Sequence, residues 1–188
     1  RPWEVLDQRV LDLMLQIKRE DFVPEDYKNS AYVDENILLS DTRVILEPLI
    51  FARLLKLANI KPTDKVLDIA AGTGYSSAVI ANLAAHVVAL ESDEVLFKKA
   101  KQHLAKNPKI SVVLSTISLG SPEHKPFDVV IINGAVCAVP ETILKQLKNG
   151  GRLVAVVNNY ITLYTKIDKQ ITAERIKRAT IPRNGNCK

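Results

Sequence analysis

Cysteine, tryptophan and methionine are scarce in this sequence, which has two, one and one of them in 188 residues. The two cysteines, Cys137 and Cys187, are far apart and show none of the close spacings of zinc ligands. We therefore expect no metal site and, from so low a cysteine content, a cytoplasmic protein. No apolar run approaches the ~18–20 residues that span a bilayer, so we also expect no membrane partner.

Most of the chain has no excess of positive or negative charge. The formal net charge is +5, and residues 166–188 alone carry seven basic and two acidic side chains. Residues 1–165 therefore balance to zero. A short basic tail of this kind is more typical of a solvated edge than of a nucleic-acid site. We expect nucleic acid not to be a partner.

The first sixty residues predict an N-terminal helical cap that also carries the substrate segment. Apolar residues at helical spacing predict one amphipathic helix from Val5 to Ile17 and another over 43–60. Pro48 is tolerable in the second helix only near its first turn. The polar stretch 25–30 separates the two helices.

Short apolar runs then alternate with helical segments from residue 61 to residue 160. The runs are 65–70, 86–91, 110–115, 128–133 and 152–157, and the helices lie near 75–85, 93–106 and 140–148. This alternation predicts an α/β, Rossmann-like fold with a mostly parallel sheet and helices on both faces. Residues 161–188 predict a C-terminal antiparallel hairpin, turning at 168–170, and the basic tail. We expect 1–188 to form a single domain.

The segment after the first core strand contains two glycines in a short turn, Gly72 and Gly74. A helix that begins directly after a buried strand points its free N–H groups at whatever lies above the sheet. Glycine lets a ligand approach the backbone where a Cβ would collide. Glu91 ends the next strand nineteen positions beyond Gly72, where an acidic residue binds the hydroxyls of a ribose. These features predict a nucleotide-type cofactor site.

Two cofactor classes use this geometry, and one residue separates them. A dinucleotide fingerprint requires a third glycine, but Ser77 occupies that position. The order Asp68-x-Ala70-x-Gly72-x-Gly74 instead resembles the acidic-x-Gly-x-Gly-x-Gly signature of S-adenosylmethionine-dependent methyltransferases, with Ala70 in place of the first glycine. The cofactor expected from this resemblance is S-adenosyl-L-methionine.

Flanking segments resemble one methyltransferase family in particular, the protein-L-isoaspartate O-methyltransferases. The similar segments, within roughly residues 20–157, are Asp21-Phe22-Val23-Pro24, Ala31-Tyr32-Val33-Asp34, the turn from Val66 to Tyr75, 126–132 and 146–154. The resemblance implies methylation of the isoaspartyl α-carboxyl in damaged proteins, which is a repair reaction with a protein or peptide as partner. The cofactor residues that it implies are Asp68, Ala70, Ala71, Gly72, Thr73, Gly74, Tyr75, Glu91, Ser92, Thr116, Ile117 and Asn133.

The substrate segment departs from the family pattern. The resemblance places Tyr32 and Asp34 toward the substrate, but Arg43 stands where the family has glutamine and Leu46 where it has a carboxylate-binding hydroxyl. Arg43 either pairs with a carboxylate or stays solvated. We take Tyr32, Asp34, Arg43 and Leu46 as the candidate catalytic positions.

Two other functions remain open beside isoaspartyl methylation. The altered substrate segment, together with Ser115-Thr116-Ile117 where the family has Gly-Asp-Gly, also fits a paralogue that binds S-adenosylmethionine but has a different acceptor or no catalysis. A nucleic-acid methyltransferase is less favoured. The loop after the fourth core strand, Asn133-Gly134-Ala135-Val136, has neither the prolines nor the aromatic ring that flank a flipped base.

Overall fold

A seven-stranded sheet forms the centre of the protein in a computed structural model that describes residues 6–184. Two strands precede it, β1 (Ile37–Ser40) and β2 (Arg43–Ile45), and pair with each other as an antiparallel hairpin. The sheet strands are β3 (Lys65–Ile69), β4 (His86–Glu91), β5 (Ile110–Leu114), β6 (Phe127–Val136), β7 (Leu147–Val157), β8 (Tyr160–Ile167) and β9 (Gln170–Arg178). Their order is β5-β4-β3-β6-β7-β8-β9, parallel from β5 to β7 and antiparallel from there on.

Between residues 6 and 184 five helices accompany the sheet, and local sequence accounts for where several of them begin and end. They are α1 (Gln8–Gln16), α2 (Pro48–Ala58), α3 (Tyr75–Ile80), α4 (Glu94–Leu104) and α5 (Glu141–Leu144). The side chains of Asp7 and Asp93 accept backbone N–H groups at the starts of α1 and α4. Asn59 ends α2 in the left-handed conformation. Two 3-10 helices, Arg19–Asp21 and Glu25–Ser30, lie between α1 and β1.

Both faces of the parallel strands are buried, which explains why these strands are nearly continuous apolar runs. Val66 of β3 packs with α2 and α3 on one face. Its neighbours Leu67 and Ile69 pack on the other face, against residues of β6 and α5. Because a strand alternates its side chains between faces, two covered faces require apolar residues at successive positions. The carboxyl ends of β3, β4 and β6 therefore meet at one edge of a rigid sheet.

The structure confirms the predicted fold class, including the terminal hairpin, and corrects several helix boundaries. The helix predicted over 43–60 begins only at Pro48, and Arg43–Ile45 form β2 instead. Proline has no N–H to donate and suits the first helical position. The helix predicted over 140–148 ends at Leu144, because Leu147 already pairs with Phe127 in the sheet. The helix near 75–85 ends at Ile80, and that near 93–106 at Leu104.

Residues 1–5 and 185–188 lie outside the described part of the chain. Val5, the first residue of the predicted N-terminal helix, is among them, and the extent of the domain over 1–188 stays a prediction. Within residues 6–184 no helix has both the length and the apolar character to cross a membrane. The same residues contain no cluster of three or more His, Cys, Asp or Glu side chains able to hold a metal ion.

Cys137 is disulfide-bonded, contrary to the reduced cysteines expected from the sequence. The only other cysteine of the sequence, Cys187, lies outside the described residues. The cysteine content therefore carries no argument about the compartment.

Candidate functional site

The predicted cofactor turn lies at the carboxyl end of β3 and has three residues in the left-handed conformation. Gly72 and Gly74 have φ angles of 59° and 100°, and Ala70 has 58°. Glycine adopts this conformation freely, whereas an alanine pays for its Cβ. Ala70 thus keeps the backbone path that a glycine would take there. Thr73 is buried and donates its hydroxyl to the carbonyl of Phe22 at 2.6 Å, which fixes the top of the turn.

Asp68 supports the turn from below. Its side chain is completely buried, and its Oδ2 accepts the hydroxyls of Ser76 and Ser77 at 2.6 and 2.5 Å. Its Oδ1 accepts the Asn133 amide at 2.7 Å. Burial raises the pKa of Asp68 to about 6, and the three hydrogen bonds oppose that shift. Asp68 therefore ties β3 to α3 and β6, and its oxygens are engaged by the protein's own groups.

Ser76 and Ser77 are functional residues that the sequence pattern did not single out. Ser77 served only to exclude a dinucleotide fingerprint, yet its hydroxyl holds the carboxylate under the turn. The available signal was a pair of serines in the first turn of a helix that follows an acidic strand end. Small hydroxyl side chains in that place satisfy a buried carboxylate without filling the space above it.

Glu91, at the end of β4, lies directly beside Gly72. Its side chain is fully buried, and its Oε2 accepts the Gly72 N–H at 2.8 Å. Its Oε1 accepts the backbone N–H groups of Ser92 and Asp93 at 2.7 and 2.9 Å. The carboxylate is thus held in a single orientation at the carboxyl edge of β4.

Arg43 is buried against Glu91, so the solvated alternative is wrong. Its Nε donates to Glu91 Oε1 at 2.8 Å, and its Nη2 donates to the Ser92 hydroxyl. Its Nη1 donates to the Thr42 carbonyl at 2.7 Å. The sequence placed Arg43 on the substrate side of the site. The structure places it at the cofactor turn, on the carboxylate predicted to bind ribose.

The other substrate-side candidates are dispersed around the start of α2. Leu46 is buried, and only its backbone carbonyl makes a polar contact, accepting Arg19 Nη2 at 2.9 Å. Asp34 accepts the Leu49 N–H at 2.9 Å and so caps the first turn of α2. Tyr32 is half exposed and donates its hydroxyl to Glu20. These contacts account structurally for Asp34 and Tyr32.

Arg19 is a second residue that the sequence pattern missed. Its guanidinium is buried over the ring of Tyr75, 5.0 Å from the ring centroid, and donates to the Ala31 carbonyl at 2.6 Å. Burial lowers the pKa of Arg19. Tyr75 is buried too and packs edge-on against Phe22. The two residues join the N-terminal segment to the turn, and nothing in the local sequence marks an arginine as buried.

The loop after β5 and the strand β6 itself contribute the remaining predicted cofactor residues. Thr116 is exposed and accepts the Leu119 N–H at 3.3 Å, whereas Ile117 is buried at the rim of a cavity of about 190 Å³. Asn133 donates to Asp68, and its backbone carbonyl accepts the amide of Asn184. Of these residues, Asn133 contacts the strand that leads into the turn.

The space directly above the turn is too small for the expected cofactor. The cavity lined by Ala70, Ala71 and Tyr75 measures about 10 Å³, which is room for about one water molecule. Small-molecule sites usually need ~300 Å³ or more. Leu39 covers Gly72 so closely that a methyl group placed on Gly72 would lie 2.6 Å from Leu39 Cδ1. Val44 and Ile45 of the β1–β2 hairpin also line this cavity, and a separate cavity of about 220 Å³ borders Leu39 and Thr73.

A family model and the sequences of known proteins relate this chain to the same family. A family model for protein-L-isoaspartate(D-aspartate) O-methyltransferase matches residues 4–182. A protein-L-isoaspartate O-methyltransferase of Koribacter versatilis is 38% identical over 157 residues, covering 82% of this chain and 71% of that protein.

Two solved structures share the fold. One, a protein-L-isoaspartate O-methyltransferase, superposes with a TM-score of 0.85 at 24% identity, covering 96% of this chain and 62% of its own. The other, from Plasmodium falciparum and in complex with S-adenosyl-L-homocysteine, gives 0.79 at 20% identity, covering 96% and 91%. The chain thus spans less than two thirds of the first of these structures.

Proposed function

Because the chain belongs to the protein-L-isoaspartate(D-aspartate) O-methyltransferase family, we propose that it transfers the methyl group of S-adenosylmethionine to a carboxylate. The proposed acceptor is the α-carboxyl of an isoaspartyl residue in a damaged protein or peptide, and the proposed location is the cytoplasm. One observation carries the proposal within the structure: Glu91 and Gly72 meet at the carboxyl edge of the sheet with their hydrogen bond made. Cofactors of open α/β sheets bind at this edge.

The reaction needs little acid–base assistance from the protein. S-adenosylmethionine, when bound, supplies a methyl group already activated on a sulfonium. An acceptor carboxyl is ionised at pH 7 and requires no base. The protein's contribution is to position the reacting groups and exclude water. This agrees with a site made of buried turns, glycines and apolar side chains.

For the cofactor, we propose that the Glu91 carboxylate accepts the two ribose hydroxyls, one at Oε2, which accepts a single protein N–H, and one at Oε1 in the position that Arg43 Nε now holds. Gly72, Thr73 and Gly74 would offer the approach to the backbone, with Ala70 and Ala71 beside them. Asp68 acts through the shape of the turn. Ser92, Thr116 and Ile117, which follow β4 and β5, would border the ligand together with Asn133 of β6.

A changed acceptor is the second candidate, and Leu46 is the observation that favours it. Leu46 has no hydroxyl to offer a carboxylate, and its side chain is buried. The adjacent Glu47 N–H is engaged by Asn36 Oδ1 at 3.0 Å. An enzyme with this segment would methylate a different carboxylate or bind the cofactor without turnover. Nucleic acid is not favoured, because the predicted loop 133–136 is part of β6 and carries no aromatic ring.

A methyl-transfer assay separates these functions. The enzyme is given S-adenosylmethionine with a radiolabelled methyl group and either an isoaspartyl peptide or the same peptide with ordinary aspartate. Base then hydrolyses any methyl ester formed, and the radioactive methanol released is counted. We expect release only with the isoaspartyl peptide. Cofactor binding measured by calorimetry without release would favour the second candidate, and no binding together with no release would refute the proposed function.

A pair of variants tests whether the turn is the site. Ala71→Phe adds a ring at a residue that lines the cavity above the turn, and because that cavity is too small for the ring, the ring would take the volume that the cofactor needs and is expected to abolish methyl transfer. Ala105→Phe makes the same change at an exposed position after α4 and is expected to leave activity intact. Circular dichroism checks that both variants fold. Equal activity in the two variants would contradict a site at Ala71.

A further inference from the structure

The β1–β2 hairpin, residues 37–45, reaches across the protein to the cofactor turn. Ile37 pairs with Ile45 and Leu38 with Val44, and a register irregularity follows between Leu38 and Ser40. Ile37, Val44 and Ile45 are buried in the core beside α2, so the base of the hairpin is anchored. Leu38, by contrast, is half exposed. The base of the hairpin is thus tied to the core, whereas Leu38 and Leu39 lie beyond these anchored residues.

Leu39 and Arg43 bring this segment onto the two groups that the cofactor needs. Leu39 packs on Gly72, in the space that the absent Cβ leaves open. Arg43 binds Glu91, and both side chains of this ion pair are at least nine-tenths buried. Leu39 thus takes the space above Gly72 that a cofactor would enter. Arg43 takes the Glu91 carboxylate that is proposed to bind the ribose.

We propose that the β1–β2 hairpin is an internal lid that closes the cofactor cleft, with Leu39 covering Gly72 and Arg43 occupying Glu91. Both contacts must be released before S-adenosylmethionine binds. The inference rests on the proposed function and adds to it a competition between the chain and its cofactor.

The hydrogen bonding of Glu91 supports an exchange between Arg43 and a ligand. Glu91 receives three backbone N–H groups, from Gly72, Ser92 and Asp93, which do not depend on the hairpin. The carboxylate therefore keeps its orientation and most of its hydrogen bonds when Arg43 leaves. A buried charge that stays solvated by the backbone can change partners at lower cost than one that depends on the ion pair alone. Arg43 also has the Thr42 and Ser92 contacts to exchange for water.

The cofactor binds only while the lid is open. The apparent dissociation constant is therefore the intrinsic constant divided by the fraction of molecules in which the lid is open. Variants that open it should therefore bind the cofactor more tightly. This is the opposite of what loss of a cofactor-binding or purely structural residue would do, since either loss weakens binding. The sign of the change in affinity consequently tests the proposal.

The experiment measures binding of S-adenosylhomocysteine by titration calorimetry to the full chain and three variants. Leu39→Ala and Arg43→Gln are each expected to bind about tenfold more tightly than the starting protein. Leu38→Ala, the neighbouring half-exposed leucine, is expected to bind as the starting protein does. Arg43→Gln leaves the buried Glu91 without its ion-pair partner and so could also disturb folding. Leu39→Ala is therefore included as a second variant that opens the lid without changing any charge.

The possible results separate the lid from the proposed function. Binding by all four proteins with equal affinity, or weaker binding by Leu39→Ala and Arg43→Gln, would overturn the lid and leave the function standing. Absence of binding in every protein, opened variants included, would overturn both.

Discussion

Replacing Asp68 by asparagine should change how the stability of the protein depends on pH. Asp68 is completely buried, and desolvation raises its pKa from 3.8 to about 6 in the folded state. Asparagine has nearly the same shape and does not titrate. Its amide can also pair with Ser76 and Ser77, because their hydroxyls are able to accept as well as donate. The substitution therefore isolates the titration of one carboxyl.

The sign follows from which state holds the proton. Between pH ~4 and pH ~6 the folded protein keeps Asp68 protonated while the unfolded chain has lost that proton, so the free energy of unfolding falls as the pH rises. The shift is about two pKa units, and each unit is worth ~1.36 kcal/mol, so the total loss is about 3 kcal/mol. The loss is complete above pH ~6 and absent below pH ~4.

Urea denaturation of both proteins at a series of pH values from about 3 to about 8 measures this effect. The free energy of unfolding of the wild type, minus that of Asp68→Asn, should decrease by about 3 kcal/mol across the series, because other titrations cancel in the difference. A difference that stays constant or increases with pH would refute the reasoning. It would mean that the hydrogen bonds to Asp68 outweigh its burial.

Two further substitutions and one control substitution test the contacts around the sheet. Ala70→Gly should raise the free energy of unfolding by up to about 1 kcal/mol in urea denaturation, since the left-handed φ of Ala70 disfavours its Cβ; a loss above about 1 kcal/mol would contradict this. Arg152→Met should lower it by about 2–4 kcal/mol, because Arg152 binds Asp64 at 2.7 Å and the carbonyls that end α2. Lys145→Met, which breaks an exposed pair with Glu141, should change it by less than about 0.5 kcal/mol, and an equal effect would contradict the assignment.

The parallel sheet and the cofactor turn were predictable because each leaves a local pattern. Strands covered on both faces consist of apolar runs, and a turn that needs left-handed residues contains glycines. The separation between Gly72 and Glu91 follows from the length of one strand–helix–strand unit, so it also survives in the sequence. These features depend on neighbours along the chain.

The hairpin was missed because its evidence is neither periodic nor local. The apolar residues of 43–47 continue the spacing of α2, and only Pro48 indicates where the helix begins. Arg43 and Glu91 are 48 positions apart, and no rule of spacing brings them together. Arg19 is similar: its carbonyl partners at Ala31 and Leu46 belong to the backbone and leave no trace in side-chain chemistry. Contacts of this kind appear only when the segments are packed.

The basic residues of strand β9 affect how separate copies of the protein approach each other. It is the last strand of the sheet, with most of its residues exposed. Within the described chain its outer edge pairs with no further strand, and such an edge invites the same edge of a second molecule to add on. Two copies joined there would bring the basic side chains of β9, Arg175, Lys177 and Arg178, close to those of the other copy. The surplus of +5 thus works as protection against aggregation: two copies brought edge to edge repel each other before their backbones can pair.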